Sequence, residues 1–468
     1  MKKVSVILFY VALGMLGLSS ALWGASFDKS EYAARRLRLM QKIPDGVAVI
    51  LGAMPHDGGL GYRQNNDFMY FTGVEIPDAV LIMDGTKKES LLFFSITEHD
   101  ADGEGIDLEL VRNPHEVTGI ESVFERDRFS SYLNRYSNRP GVIYTKFKPE
   151  ELYRENSNEK FNGLQRTMTL NPWDGRLTRE LQFVQKLEER YPHATVKDCS
   201  PIIWNLRKIK SAAEIAVMRK AGQIGTEAHT AFIQSTRVGV KEKELAALFE
   251  YVCNKEGADD LAFNTIIMSD KNHAYGHYHK HNRVLQDGDF LILDAGADYD
   301  HYKVDFSSSI PANGVFSPRQ KELYELANEV REICLRTYRP GITFTEVGKK
   351  VEAFLSERGI ELSHTSNRNF RGIVRWGGYN HPVGMAVHDV MGSMTGPEEV
   401  LKPGFVFACD IQIPKPEEKM GIRLEDTVVI TEDGCEVLSS NLPRTIEEIE
   451  ALMKTDGMIQ ILRKANQY

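Results

Sequence analysis

Two hydrophobic rhythms run along the chain. Short apolar runs, VAVILGA at Val47–Ala53 and AVLIMDG at Ala79–Gly85, have the length and branched content of buried strands. TRELQFVQKLEERYP, Thr178–Pro192, instead spaces its apolar residues for one face of a helix. The mixture from Phe27 to about Pro201 predicts an α/β domain. A new segment opens at RKIKSAAEIAVMRKAG, where Ser211 and Glu214 stand three apart, as a capping box at a helix start requires. The domain boundary falls between Cys199 and Lys210, giving an N-terminal domain over 26–200 and a second domain over 201–468.

The second domain is partly self-similar. TRVGVKEKELAALFEYVCNKEGA from Thr236 and YRPGITFTEVGKKVEAFLSERGI from Tyr338 align without a gap at an offset of 102, each a turn followed by an amphipathic helix ending at glycine. DGDFLILD, Asp287–Asp294, likewise aligns with PGFVFACD, Pro403–Asp410: a glycine turn, an apolar strand, then an acid. The first strand leads on to Asp305, eleven residues after Asp294, and the second returns through GIRLEDTVVI to Glu425. Two matches in the same order predict an internal duplication in which each half supplies a pair of acids. A carboxylate ending an apolar strand is costly unless it is paired or bound to a cation, and four brought together repel one another. Divalent ions relieve that repulsion, so Asp294 and Asp305 are expected to be two arms of a hairpin aimed at one metal site.

Charge narrows the choice of partner. The chain has 468 residues and a formal net charge of −9, which gives no bulk attraction to nucleic acid or to an anionic membrane. The opening MKKVSVILFYVALGMLGLSSALWGAS has two lysines, an apolar run and then small residues, the form of a secretory signal over residues 1–25. An uncleaved membrane anchor is the competing reading; removal leaves no expected membrane contact, and the product would be periplasmic or secreted. Five scattered cysteines form neither a disulfide framework nor a metal motif, and are expected to be buried small hydrophobes. NHPVGMAVHD sets His381 and His388 seven apart, and HAYGHYHKHN contains His273, His277, His279 and His281. Imidazole can ligate a transition metal or donate to an oxyanion, although a histidine cluster in a polar stretch is more often a solvated loop.

Taken together, YRQNNDFMYFTG, KSAAEIAVMRKAG, HYHKHNRVLQDGDFLILDAG, YKVDFSSS, HPVGMAVHD, GIRLEDTVVIT and EEIEALM resemble the aminopeptidase P (Xaa-Pro aminopeptidase) and prolidase group of metallopeptidases. The resemblance implies an aminopeptidase P N-terminal α/β domain followed by an α+β pita-bread (creatinase-like) catalytic domain with pseudo-two-fold duplication. It also implies two divalent ions, typically manganese, with zinc or cobalt as alternatives. The implied ligands are Asp294, Asp305, His381 and Glu425, with Asp410 in FACDIQ standing where the family has the glutamate of a VEPG segment. Aspartate keeps the charge but reaches roughly an ångström less far, and it is expected to coordinate. His277, His388 and Arg423 match the family's substrate-handling residues, and Glu425 or Asp410 would shuttle a proton. His273, His279 and His281 have no such match and are expected at the surface. Gly377 replaces a further family histidine near the substrate pocket. The implied activity is removal of the N-terminal residue from peptides with proline second. The alternatives are a prolidase-like dipeptidase and a catalytically silent peptide-binding protein. Oligomers are common in the family.

Overall fold

The computed structural model describes residues 27–54, 62–137, 141–149, 173, 177–360 and 380–465, so the segment 1–25 expected to be a secretory signal, and Gly377, lie outside the described residues. Both early apolar runs are strands of one sheet. It comprises β1 (Gly46–Leu51), β2 (Val80–Asp84), β3 (Glu89–Phe93), β4 (Ser122–Phe124), β5 (Val142–Thr145) and β6 (Thr195–Asp198), in the order β4-β3-β2-β1-β5-β6. Ala48, Ile50, Leu81 and Met83 enter one apolar cluster and Val47, Val49, Val80 and Ile82 another. Burial on both faces explains why these strands read as continuous apolar runs rather than alternating ones. Helices α1 (Lys29–Lys42) and α2 (Asn66–Thr72) contribute to the first cluster, and α3 (Arg179–Arg190) contributes Leu187 to the second.

Helix α4 (Ser200–Lys208) leads into α5 (Ala212–Ser235), which begins as its sequence requires: Ser211 Oγ accepts from the Glu214 amide, and the Glu214 carboxylate accepts from the Ser211 amide. The duplication is plain in the structure. Helices α6 (Glu242–Lys255) and α8 (Phe344–Glu357) keep the 102-residue offset, and the turns before them place Gly239 and Gly341 at the same φ of +84°, a conformation that favours glycine. In each turn the glycine amide donates across to a leucine carbonyl, Leu285 or Leu401, at 2.9 Å. Helix α7 (Pro318–Thr337) precedes the second copy as α5 precedes the first.

Between the two sets of helices and the site lies the larger sheet. A small ribbon of β7 (Asp260–Leu261), β10 (Ala297–Tyr299) and β11 (Tyr302–Lys303) stands beside it. The main sheet comprises β8 (Ile266–Ser269), β9 (Phe290–Ala295), β12 (Phe306–Pro311), β13 (His381–Pro382), β14 (Val406–Lys415) and β15 (Met420–Ile430), with β16 (Cys435–Val437) beside β15. Its order is β13-β14-β15-β12-β9-β8 and its pairings are antiparallel, so β8-β9-β12 and β13-β14-β15 are the sheet portions of the two halves. Leu291 and Leu293, Phe407, Cys409 and Ile411, and Leu424 point to the helices and form their core. Alternate residues point the other way, and there the acids stand. The cysteines are free; Cys199, Cys253, Cys334 and Cys409 are buried and Cys435 is half-buried.

Candidate metal centre

Strand register assembles the site. Asp294 on β9 lies opposite Ser307 on β12, Ser307 opposite Glu425 on β15, and Glu425 opposite Asp410 on β14. These four residues form one row across four neighbouring strands, and residues directly opposite one another point to the same face. One step along, Asp305 precedes β12, Thr427 pairs with Ala408, and Ala408 pairs with His381 on β13, so a second row brings Asp305 and His381 to that face. The hairpin reading therefore holds, with the tip of the hairpin peeling away into the β10–β11 ribbon.

Hydroxyl groups hold the seam between the halves, where β12 and β15 share a single residue pair in register. Thr427 Oγ1 accepts from the Asp305 amide at 2.8 Å and donates to its carbonyl at 3.0 Å. Ser309 Oγ accepts from the Arg423 amide and donates to its carbonyl, both at 2.9 Å. Ser307 Oγ donates to Glu425 Oε2 at 2.8 Å. Ser308 faces the helices, where its Oγ lies 3.0 Å from His229 Nδ1, and His229 Nε2 lies 3.0 Å from the Ala295 carbonyl. Burial holds the His229 pKa down to about 4, so this imidazole braces the hairpin in its neutral form.

His381 Nε2 lies 3.5 Å from Asp305 Oδ2 and 3.7 Å from Glu425 Oε1, and one ligand atom from each of the three lies within 4.8 Å of the others. Arg423 closes the other side. Its guanidinium contacts Asp294, reaches Asp410 Oδ2 at 2.9 Å and lies 3.6 Å from Glu425 Oε2. Gln412 also donates to Asp410. Asp410 thus stands in the row, but its short side chain is held by Arg423 and Gln412, away from the Asp305–His381–Glu425 group. His388 is half-buried with its ring 4.3 Å from that of His381 at 72°. His277 is exposed, stacked 6.5 Å from His279. The expectation for His273 is corrected: it is buried, with Nε2 2.9 Å from the Phe290 carbonyl, because a short 3₁₀ turn tucks it under β9. His281 is half-buried and His279 exposed.

The residues fit divalent cations. Asp294 Oδ1, Asp305 Oδ1 and Glu425 Oε1 are buried and have no hydrogen-bond partner among the described residues. Such acceptor-only atoms are costly in an interior, and a cation facing them supplies the missing partner. Proton affinities point the same way. Burial pushes the Glu425 carboxyl up to about 7, while Asp305 and Glu425 outweigh burial at His381 and raise it to about 10. A ligand must shed its proton to bind metal. Divalent binding to the chelator-stripped protein at pH 6 is therefore expected to release roughly one proton or more per ion, with affinity rising with pH. Calorimetry in buffers of different ionisation enthalpy measures this, and release near zero would contradict the ligand assignment of His381 and Glu425.

Known proteins match this chain over most of its length. The family model for metallopeptidase family M24 matches residues 216–432, and that for the aminopeptidase P N-terminal domain matches residues 32–144. The Xaa-Pro aminopeptidase of Escherichia coli (strain K12) is 30% identical over 92% of this chain and 98% of its own length. A Pyrococcus horikoshii Xaa-Pro dipeptidase is 31% identical over 57% of this chain and 71% of its own length. The structure of zinc-substituted E. coli aminopeptidase P in complex with product superimposes with a TM-score of 0.73 at 28% identity, covering 92% of this chain and 98% of that one. With that fold, an M24 domain and an aminopeptidase P N-terminal domain in one chain, this protein belongs to the Xaa-Pro aminopeptidases of metallopeptidase family M24.

Proposed function

We propose that the protein is an exported dinuclear-metal Xaa-Pro aminopeptidase that removes the N-terminal residue from peptides with proline second. The observation that carries this reading is the convergence of Asp294, Asp305, His381, Asp410 and Glu425 on one face of the sheet, three of them with a buried oxygen that has no hydrogen-bond partner among the described residues. Support for an aminopeptidase over a dipeptidase comes from the N-terminal domain: the aminopeptidase relative aligns with 92% of this chain and the dipeptidase with 57%.

Asp305, His381 and Glu425 would hold one ion, with Asp294 and, after Arg423 yields, Asp410 completing a second position. Two divalent ions, manganese by family habit with zinc or cobalt as alternatives, would supply Lewis-acid polarisation and neutralise developing charge. His388, beside His381, donates to the scissile carbonyl oxygen as it becomes anionic, an interaction strongest in the transition state. His277 would join it from the exposed segment when substrate covers the site. Glu425 takes a proton from the water that adds to the scissile carbonyl carbon and passes it to the leaving proline nitrogen as the C–N bond breaks. Arg423 fixes the acids in their row and balances their charge. Proline's tertiary amide has no N–H and a fixed φ, so a shaped pocket can select it.

Export rests on segment 1–25, from which a periplasmic or secreted location follows once the segment is removed. A homo-oligomer is the accompanying expectation. The deciding assay compares an Xaa-Pro-Xaa tripeptide with the matching Xaa-Pro dipeptide under manganese, zinc or cobalt. The tripeptide is expected to be cleaved with kcat/KM about tenfold or more higher; preference for the dipeptide would overturn the aminopeptidase reading.

A further inference from the structure

A buried chain of charges crosses from the N-terminal domain to the loop that carries both site histidines. Asp67, on α2, receives Arg207 Nη1 at 2.6 Å and Lys146 Nζ at 2.5 Å. The other arm of the Arg207 guanidinium holds Asp389, whose second oxygen lies 3.1 Å from Lys210 Nζ. Asp67, Arg207, Asp389 and Lys210 are all buried. A planar two-armed guanidinium fixes both carboxylates in orientation, which a point charge would not.

Asp389 is the closing residue of the histidine loop. Its amide donates to the Pro382 carbonyl at 2.8 Å; His381 immediately precedes Pro382 and His388 immediately precedes Asp389, so each histidine is one residue before an end of that closure, and their rings lie 4.3 Å apart. Its side chain lies across the loop against Gly384, where an added Cβ would sit 2.3 Å from Asp389 Oδ2 and 2.8 Å from Lys210 Cε. Glycine is the residue this approach admits. The next residue, Val390, has φ of +40°, a conformation that a β-branched side chain adopts only when its surroundings impose it. Asn66, the neighbour of Asp67, adds a 3.0 Å hydrogen bond to the Met385 carbonyl in the same loop. The YRQNND segment thus reaches the loop directly through Asn66 and indirectly, by way of Arg207, through Asp67.

We propose that Asp67 of the N-terminal domain is a positioning residue for His388, acting through the Arg207 guanidinium and the Asp389 carboxylate across the domain junction. This inference rests on the aminopeptidase reading for its catalytic consequence, but its structural consequence stands apart from it. The N-terminal domain is then part of the catalytic device: loss of Asp67 frees Arg207 to turn, Asp389 loses its fixed direction, and His388 moves relative to His381.

The test uses the full zinc-loaded chain with Asp67→Asn and Lys146→Met combined, which removes one buried charge of each sign. Histidine ring carbon NMR, with the His388 signal assigned by its loss in His388→Ala, reads position directly. The His388 signal and its titration midpoint are expected to move while those of His229 and His273 stay; an unmoved His388 signal overturns the proposal. On an Xaa-Pro-Xaa tripeptide, kcat is expected to fall about tenfold or more with KM within about threefold, and the same change in a His388→Ala background to cost less than about twofold. An equal loss in both backgrounds would show that Asp67 does not act through His388. If the parent chain cleaves no Xaa-Pro peptide, the aminopeptidase reading fails and the NMR arm still decides the positioning claim. Should the double variant not fold, Arg207→Lys keeps the charge and loses the two-armed geometry, and the same His388 shift is expected.

Discussion

Asp305→Asn is expected to lower kcat/KM on an Xaa-Pro-Xaa tripeptide by at least about a thousandfold while leaving the fold intact. Asp305 is buried, pinned through its backbone by Thr427, and aims one oxygen at His381 while the other is without a hydrogen-bond partner among the described residues. Asparagine preserves the volume and the backbone bonds but removes the charge and one acceptor. A ligand contributing roughly 4 kcal/mol of transition-state stabilisation corresponds to about a thousandfold in rate. Steady-state kinetics together with far-UV circular dichroism check the expectation. A folded variant with near-parental activity would sink the assignment of Asp305.

The second large effect concerns stability. Among the described residues Arg423 is the guanidinium that pairs with Asp294, Asp410 and Glu425, and those carboxylates hold its own pKa well above the usual arginine range despite burial. Arg423→Met leaves them facing one another in a buried row. Removing one partner of a buried ion pair costs about 3–5 kcal/mol, so urea unfolding of the chelator-stripped variant should show a loss of that order. A divalent cation replaces the missing positive charge, and a thousandfold excess over its dissociation constant restores about 4 kcal/mol. The expected outcome is a variant unstable in chelator and largely rescued by manganese or zinc. A variant as stable as the parent in chelator, or one that cations do not rescue, would contradict the role assigned to Arg423.

Much of this architecture was readable from residue order because its signals are local and repeated. The 102-residue offset was visible since both copies need a glycine in the left-handed region before an amphipathic helix, and the structure places Gly239 and Gly341 at the same φ. The acids showed themselves by ending apolar strands, where an unpaired carboxylate is otherwise hard to explain.

What stayed hidden depends on contacts distant in sequence. Nothing near Asp67 signals that it meets Arg207, 140 residues on, or that Arg207 meets Asp389, 182 residues further. His229 sits in a plain helical stretch, and nothing local in Ser307–Ser309 assigns each serine a partner, yet they brace the hairpin and the seam. His273 was misread because a histidine-rich polar stretch suggests solvent, whereas one turn of 3₁₀ helix buries it. The shorter reach of Asp410 was foreseen, but not its partners: Arg423 and Gln412 come from opposite positions on neighbouring strands, a matter of register.

Crystals of the chain soaked with manganese and measured at its absorption edge test the central claim most directly. The account predicts an anomalous peak among Asp305, His381 and Glu425 and a second beside Asp294, with Asp410 released from Gln412 toward it. An empty difference map, with those carboxylates paired only to Arg423 and water at saturating cation, would contradict it.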